Sequence, residues 1–294
     1  MLKPKTLARY DQPVPRYTSY PTAPHFTEAV DATTHARWLA EIPGGDSLSL
    51  YVHIPFCDTM CWFCGCHTRI VNRYEPIAAY LDHVTAEVER VAGTLGKRHR
   101  ASHVHWGGGT PTSLAPADIL RLSDALRTHF DFDEESEFAV ESDPRGVGEE
   151  TIAALGQAGV TRVSLGVQDF SPRVQQAVNR IQPFDETKRV IDSLRSVGIA
   201  EINIDLMYGL PHQGTDELLA TAEKVLELEP ARLALFGYAH VPWMKVHQRM
   251  IDEDALPGTE ARWQQAGAAR AFLEEHGFTT IGLDHFARDD DPMA

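Results

Sequence analysis

Apolar residues fall into short Val-, Ile-, Leu- and Phe-rich runs, separated by longer stretches with a helical period. The runs predict strands at Leu48–Pro55, His103–Trp106, Glu137–Glu141, Arg162–Gln168, Glu201–Met207, Arg232–Ala239 and Thr279–Asp284. Small or turn-forming residues follow them, as expected of buried parallel strands. Leu218, Leu219, Ala222, Val225 and Leu226 form one apolar helix face that Pro230 is expected to close. Ile119, Leu122 and Leu126 follow Pro116, which suits a first-turn position. Ile152 and Leu155 lead to Gly159, and Ile191, Leu194 and Val197 lead to Gly198. Both glycines stand where a left-handed C-terminal cap is needed. The strand–loop–helix unit recurs about six times, which predicts an α/β fold with an all-parallel sheet. A nucleotide-binding open sheet would carry GxGxxG after its first strand. Cysteines stand there instead, favouring a partial or near-complete parallel (β/α) barrel. Its chemistry is expected at the C-terminal strand ends.

Residues 1–45 break this pattern. They hold Pro4, Pro13, Pro15, Pro21, Pro24 and Pro43 with little periodicity, and predict an extended arm with one helix near Ala29–Ala40. The barrel domain is then 46–294, and 294 residues suit one large barrel with an arm. The formal charge of −15 repels phosphate backbones and anionic lipid, excluding nucleic acid and membrane surfaces as main partners. No apolar run approaches the roughly 20 residues of a membrane span, and the first residues lack the apolar core of a signal peptide, so a cytoplasmic protein is expected.

All four cysteines, Cys57, Cys61, Cys64 and Cys66, sit in one loop directly after the first strand. In a reducing compartment such a cluster points to metal before disulfides. A four-cysteine zinc site usually has two separated CxxC knuckles, and no second knuckle is present. Short consecutive spacings on one loop suit an iron–sulfur cluster, which presents several irons at once. A zinc loop, or unrelated buried thiols, is the competing account. Cys66 is surplus to three ligands and reads equally as a plain thiol.

CxxxCxxC, with Phe63 before the third cysteine, resembles the radical S-adenosylmethionine superfamily. RYTSYPT (Arg16–Thr22), YVHIPFC, CWFCGC, HWGGGTPT, VESDPR, SLGVQDF, NIDLMYGLP, GYAH and DHFAR extend the match from Arg16 to the chain end. Together they resemble the oxygen-independent coproporphyrinogen III oxidase family of haem biosynthesis. The resemblance implies that Cys57, Cys61 and Cys64 hold a 4Fe-4S cluster whose open iron is chelated by S-adenosylmethionine. It assigns Tyr51, Gly108 and Glu141 to that molecule. It assigns Phe63, Gly109, Thr110, Gln168, Arg180, Asp205 and Ala239 to a second one. His53 stands beside Tyr51 on one strand face and reads equally as a packed core histidine.

The implied reaction is oxidative decarboxylation of two propionates of coproporphyrinogen III to vinyl groups, giving protoporphyrinogen IX. Attack on an unactivated C–H bond needs cofactor radical chemistry, with no catalytic acid or base. A flavodoxin- or ferredoxin-like electron donor, an unidentified electron acceptor and a monomeric state are also expected. Arg69, Arg73 and Arg180 are the candidates for the substrate carboxylates. The family carries a further helical C-terminal domain, which is expected to be absent here. The alternatives are a haem-binding or haem-transfer protein on a related barrel, an inactive truncated form, and a zinc-stabilised barrel.

Overall fold

A computed structural model of the chain describes residues 4–10 and 21–294. Of the arm motif, Arg16–Tyr20 lie outside the described residues, while Pro21 and Thr22 lie inside them. Two helices precede the barrel, α1 (Pro4–Tyr10) and α2 (Ala32–Ala40). The second is the expected one; it begins where Asp31 Oδ1 accepts the Thr34 amide at 2.8 Å, satisfying a donor the helix itself cannot.

The barrel follows as β1 (Leu48–Ile54), β2 (Phe56–Cys57), β3 (Arg69–Ile70), α3 (Glu75–Leu95), β4 (His99–Gly108), α4 (Pro116–His129), β5 (Phe130–Asp131) and β6 (Glu137–Ser142). It continues through α5 (Glu149–Ala158), β7 (Arg162–Gln168), α6 (Pro172–Ala177), α7 (Phe184–Ser196), β8 (Glu201–Tyr208), α8 (Thr215–Leu226) and β9 (Arg232–Gly237). The last elements are α9 (Thr259–Glu275), β10 (Phe278–Ile281) and β11 (His285–Arg288). The sheet runs β1-β4-β6-β7-β8-β9-β11-β10. Every pairing from β1 to β9 is parallel, giving a partial barrel with helices outside.

The expected all-parallel sheet stops at β9. The Thr279–Asp284 run resolves into β10 and a tight turn leading to β11, both antiparallel to their neighbours. Gly282, at φ +61°, turns the chain there. A tight turn can join only antiparallel strands, since a parallel pair needs a long crossover. Helix α8 closes at Leu226 with Glu227 as its cap, ahead of Pro230. Gly159 (φ +79°) and Gly198 (φ +92°) both take the left-handed conformation expected of them.

The core lies between sheet and helices. Val52, Ile54, Val104, Trp106, Phe138, Val140, Val163, Leu165, Ile202, Ile204, Leu233 and Leu235 are buried on one face of successive strands. Trp106 and Phe138 meet edge to face at 5.0 Å. The alternate positions Tyr51, His53, His105, Glu141, Ser164 and Asp205 share the opposite face, the lumen. At the N-terminal strand ends the lumen is plugged by charge. Asp291 accepts from Arg162 at 3.2 Å and Arg232 at 2.8 Å, and both arginines also reach Glu137.

Candidate functional site

β1 delivers its chain directly into the cysteine loop at the C-terminal end of the barrel. Cys57, Cys61, Cys64 and Cys66 line one cavity of about 160 Å³ together with Phe63, Gly108, Gly109, Glu141, Gln168, Arg180 and Asp205. Among the described residues, no three His, Cys, Asp or Glu side chains converge closely enough to hold a single ion. The thiols are distributed around the cavity wall instead.

The sulfurs sit in unequal surroundings. Cys61 is buried and accepts from Arg145 Nη2 at 3.2 Å and Arg180 Nη1 at 3.3 Å. Asp143 pairs with both arginines, at 2.6 Å and 3.0 Å. Burial works to raise the Asp143 pKa, but the Arg180 charge and the Arg145 contacts outweigh it and hold it low. Burial pushes the Cys57 thiol up to about 12, helped by the neighbouring Cys64. Cys64 is lowered to about 6, mainly because Cys66 donates to its sulfur, and this donation with burial raises Cys66. The surplus thiol thus partners a predicted cluster ligand.

Glu141 is anchored at the end of β6. One carboxylate oxygen accepts from His105 Nε2 at 3.0 Å and the other from the Gly108 amide at 3.0 Å. Burial would raise its pKa, but these two bonds prevail and lower it, so Glu141 is held as the anion. His105 stacks on Tyr51 with centroids 5.8 Å apart. His53 must donate from Nε2 to the His67 carbonyl (3.0 Å), which leaves Nδ1 to accept from the Tyr51 hydroxyl at 2.9 Å. His53 is therefore engaged through both ring nitrogens. Across the lumen, burial and the Glu141 charge push Asp205 up to about 7, although Ser164 Oγ donates to it at 3.1 Å.

The glycine run packs against protein on three sides. A Cβ on Gly107 would stand 2.8 Å from Glu141 Oε1, and one on Gly108 2.7 Å from the His53 ring. A Cβ on Gly109 would stand 2.8 Å from the Phe56 amide nitrogen and carbonyl carbon, and closer to its oxygen. The absence of side chains lets this turn lie directly against the cysteine loop, and Gly108 takes φ +118°, open to glycine. Gln168 ends β7 after a register shift, at φ +69°; the bulge turns this residue onto the cavity wall.

Seven of the ten cofactor-contact candidates thus meet the cysteines in one cavity: Phe63, Gly108, Gly109, Glu141, Gln168, Arg180 and Asp205. Tyr51 is 60% exposed and is not in the cavity lining; it meets lining residues indirectly, through His105 to Glu141 and through His53 to Gly108. Thr110 is buried behind the wall, with Oγ1 engaged by Thr112 and the Asp143 amide. Ala239 lies beyond β9, outside the cavity lining, and its carbonyl accepts from Gln248. Arg69 and Arg73 are exposed and do not line the cavity, although Thr68, next to Arg69, does. Arg180 is largely committed, with Nη1 to Asp143 and Cys61 and Nη2 to Gly166 O; its buried Nε alone has no partner.

Sequence reasoning missed His105, Asp143, Arg145 and Gln248. His105 is placed beside Tyr51 by the register of β1 against β4, which no local signal announces. Arg145 and Asp143 lie within the quoted VESDPR segment. Gln248 sits in a 3₁₀ turn, Val246–Met250, and carried no sequence signal.

The description of the radical SAM superfamily matches residues 51–225. An oxygen-independent coproporphyrinogen III oxidase of Bradyrhizobium diazoefficiens is 53% identical over 284 residues, covering 97% of this chain and 63% of that protein. The enzyme of that name from Escherichia coli is 40% identical, covering 98% of this chain and 63% of the relative. A solved structure of coproporphyrinogen III oxidase from Escherichia coli, titled a radical SAM enzyme, superposes with a TM-score of 0.90 at 39% identity, over 98% of this chain and 64% of that one. The chain therefore spans somewhat under two thirds of the length of these relatives. With the cysteine loop at the C-terminal end of a partial parallel barrel and the superfamily match across its first five parallel strands, the chain belongs to the radical SAM superfamily.

Proposed function

We propose that this chain forms the cluster-bearing barrel of an oxygen-independent coproporphyrinogen III oxidase, acting in the cytoplasm. The carrying observation is the convergence of Cys57, Cys61 and Cys64 with Glu141, Arg180 and Asp205 in one cavity. Thiols distributed around a wall suit a four-iron cluster. The unpartnered, buried Arg180 Nε beside it suits a carboxylate such as that of S-adenosylmethionine. Bound there, the cluster and S-adenosylmethionine would supply the one-electron reduction and hydrogen abstraction that no side chain can provide.

The protein's part is to bind and orient. Cys57, Cys61 and Cys64 would be the cluster ligands. Glu141, held anionic by His105 and Gly108, would balance the sulfonium charge or accept from ribose hydroxyls. Tyr51 would support this contact from the lumen rim through His105. Phe63, Gly109, Gln168, Arg180 and Asp205 share the cavity and are proposed to take a second S-adenosylmethionine, with Thr110 and Ala239 acting from behind its wall. The cluster would seat in the 160 Å³ cavity that the cysteines line, and the organic ligands would extend from it toward the barrel mouth. Coproporphyrinogen III would therefore lie over the barrel mouth. Electrons would arrive from a flavodoxin- or ferredoxin-like donor, to a monomer with the barrel at 46–294.

The test is anaerobic reconstitution followed by incubation with coproporphyrinogen III, S-adenosylmethionine and a low-potential reductant. Protoporphyrinogen IX, carbon dioxide and 5′-deoxyadenosine are expected, from this chain or from a version extended to the relatives' length. Iron and sulfide uptake without any of these products from the extended chain would overturn the assignment. Tight haem binding without turnover would favour the haem-transfer alternative.

A further inference from the structure

The cysteine loop has little structure of its own. Between Cys61 and Cys66 the described residues show a single internal backbone bond, Cys64 N–H to Cys61 C=O at 3.1 Å. Its first half is gripped by the turn after α6: Asn179 Nδ2 donates to Met60 O at 2.9 Å, and Val178 O accepts from the Trp62 amide at 2.9 Å. Its second half faces the segment following β9. There Gln248 Nε2 donates to Phe63 O at 3.0 Å, His247 Nε2 to Cys64 O at 2.7 Å, and Lys245 Nζ to Cys66 O at 2.9 Å. Three donors within four residues thus meet three carbonyls within four residues.

Gln248 is the centre of this contact and is wholly buried. Its Nε2 also donates to Ala239 O at 3.2 Å, and its Oε1 accepts from the Val241 amide at 2.6 Å. The one amide therefore ties the cysteine loop to the chain leaving β9. A buried amide using both ends in this way specifies a geometry, because any other register leaves polar groups unpaired. Trp243, Met244 and Val246 are 64–71% exposed, so burial anchors the segment only at its end, where Ile251 joins the apolar cluster that meets Trp62 and Phe63. Hydrogen bonds to the loop thus make an important contribution to its docking.

From this we infer that Lys245, His247 and Gln248 are positioning residues, a clamp that holds Phe63–Cys66 in the conformation that presents Cys64 to the cluster. The inference rests on the reading of this loop as a cluster site, and assigns the segment beyond β9 to cluster retention. Each of the three meets the loop at a backbone carbonyl. They act through the backbone.

The test uses the full chain with Gln248→Leu, His247→Ala and Lys245→Met. Amide hydrogen exchange across Cys61–Cys66 is followed without metal; iron and sulfide content, cluster loss to a chelator and the reduced-cluster EPR spectrum are followed after anaerobic reconstitution. Each lost hydrogen bond is expected to speed loop exchange and cluster loss by about threefold to tenfold, with Gln248→Leu the largest. Lys245→Met removes an exposed contact, so it reports even where Gln248→Leu unfolds. The clamp is refuted if Lys245→Met and His247→Ala leave both rates and the EPR spectrum at wild-type values. It is equally refuted if a folded Gln248→Leu merely lowers the unfolding midpoint without faster exchange in the loop. If the wild-type chain takes up no iron, the cluster reading fails, while loop exchange still decides the clamp.

Discussion

Gly109→Ala tests whether the glycine turn is built for contact with the cysteine loop. The added methyl would stand 2.8 Å from the Phe56 carbonyl carbon and closer still to its oxygen, against 3.4 Å or more for ordinary contact, so the backbone must open by at least about 0.6 Å. That backbone leads directly into Cys57. Two bonds span the junction: the Gly109 amide to Ile54 O at 2.9 Å, and the Thr110 amide to Phe56 O at 2.8 Å. Overpacking costs about 1–3 kcal/mol, and each strained bond adds about 0.5–1.5 kcal/mol. The expected destabilisation is therefore about 2–6 kcal/mol, a large share of a typical total of about 5–15 kcal/mol. Urea unfolding of the metal-free chain, followed by far-UV circular dichroism, measures it. Gly267→Ala is the control: it lies in α9 with nothing within 4 Å of the new methyl. There the better helix former should stabilise by about 0.5–1 kcal/mol. A Gly109→Ala chain that unfolds at the wild-type urea concentration would refute the close-contact reasoning.

Two further outcomes follow from the charges in the lumen. Asp291→Ala strips one carboxylate from Arg162 and Arg232 while Glu137 remains, so a loss of about 3 kcal/mol is expected; an unchanged urea midpoint would show that the plug contributes nothing. Asp205 has a pKa raised to about 7 from 3.8, so the folded chain binds the extra proton between these values. Its contribution is fully present below about pH 4 and is lost as pH rises through about 7. The metal-free wild type should therefore show a falling component of stability across that window that Asp205→Asn removes. Parallel pH profiles for the two chains would sink this.

How much was legible differs by residue. Val163, Leu165, Ile202 and Ile204 announce strands through branched apolar side chains, and β7 spans the predicted Arg162–Gln168. The cysteine loop was legible because CxxxCxxC places three thiols on one short segment of chain. His105 alternates with Trp106, yet nothing local marks it as the partner of Glu141, 36 residues away. Arg145 was an ordinary charge, and Arg180 was singled out only by the resemblance; the barrel brings both to Cys61. Gln248 was silent because its three partners lie in the cysteine loop and at the end of β9, and a single sequence carries no record of such distances.

By itself the sequence determined what is local: the main strands of the sheet, the apolar faces of α4, α5, α7 and α8, the left-handed caps at Gly159 and Gly198, and the cysteine loop after β1. These follow from backbone sterics and from ligand spacing, which act over a few residues. The tertiary structure alone decided which side chains face the lumen together, that the parallel run ends in an antiparallel hairpin, and how the loop is held. Those depend on register between strands and on hydrogen bonds across up to 185 residues of chain, where only the closed fold sets the partners.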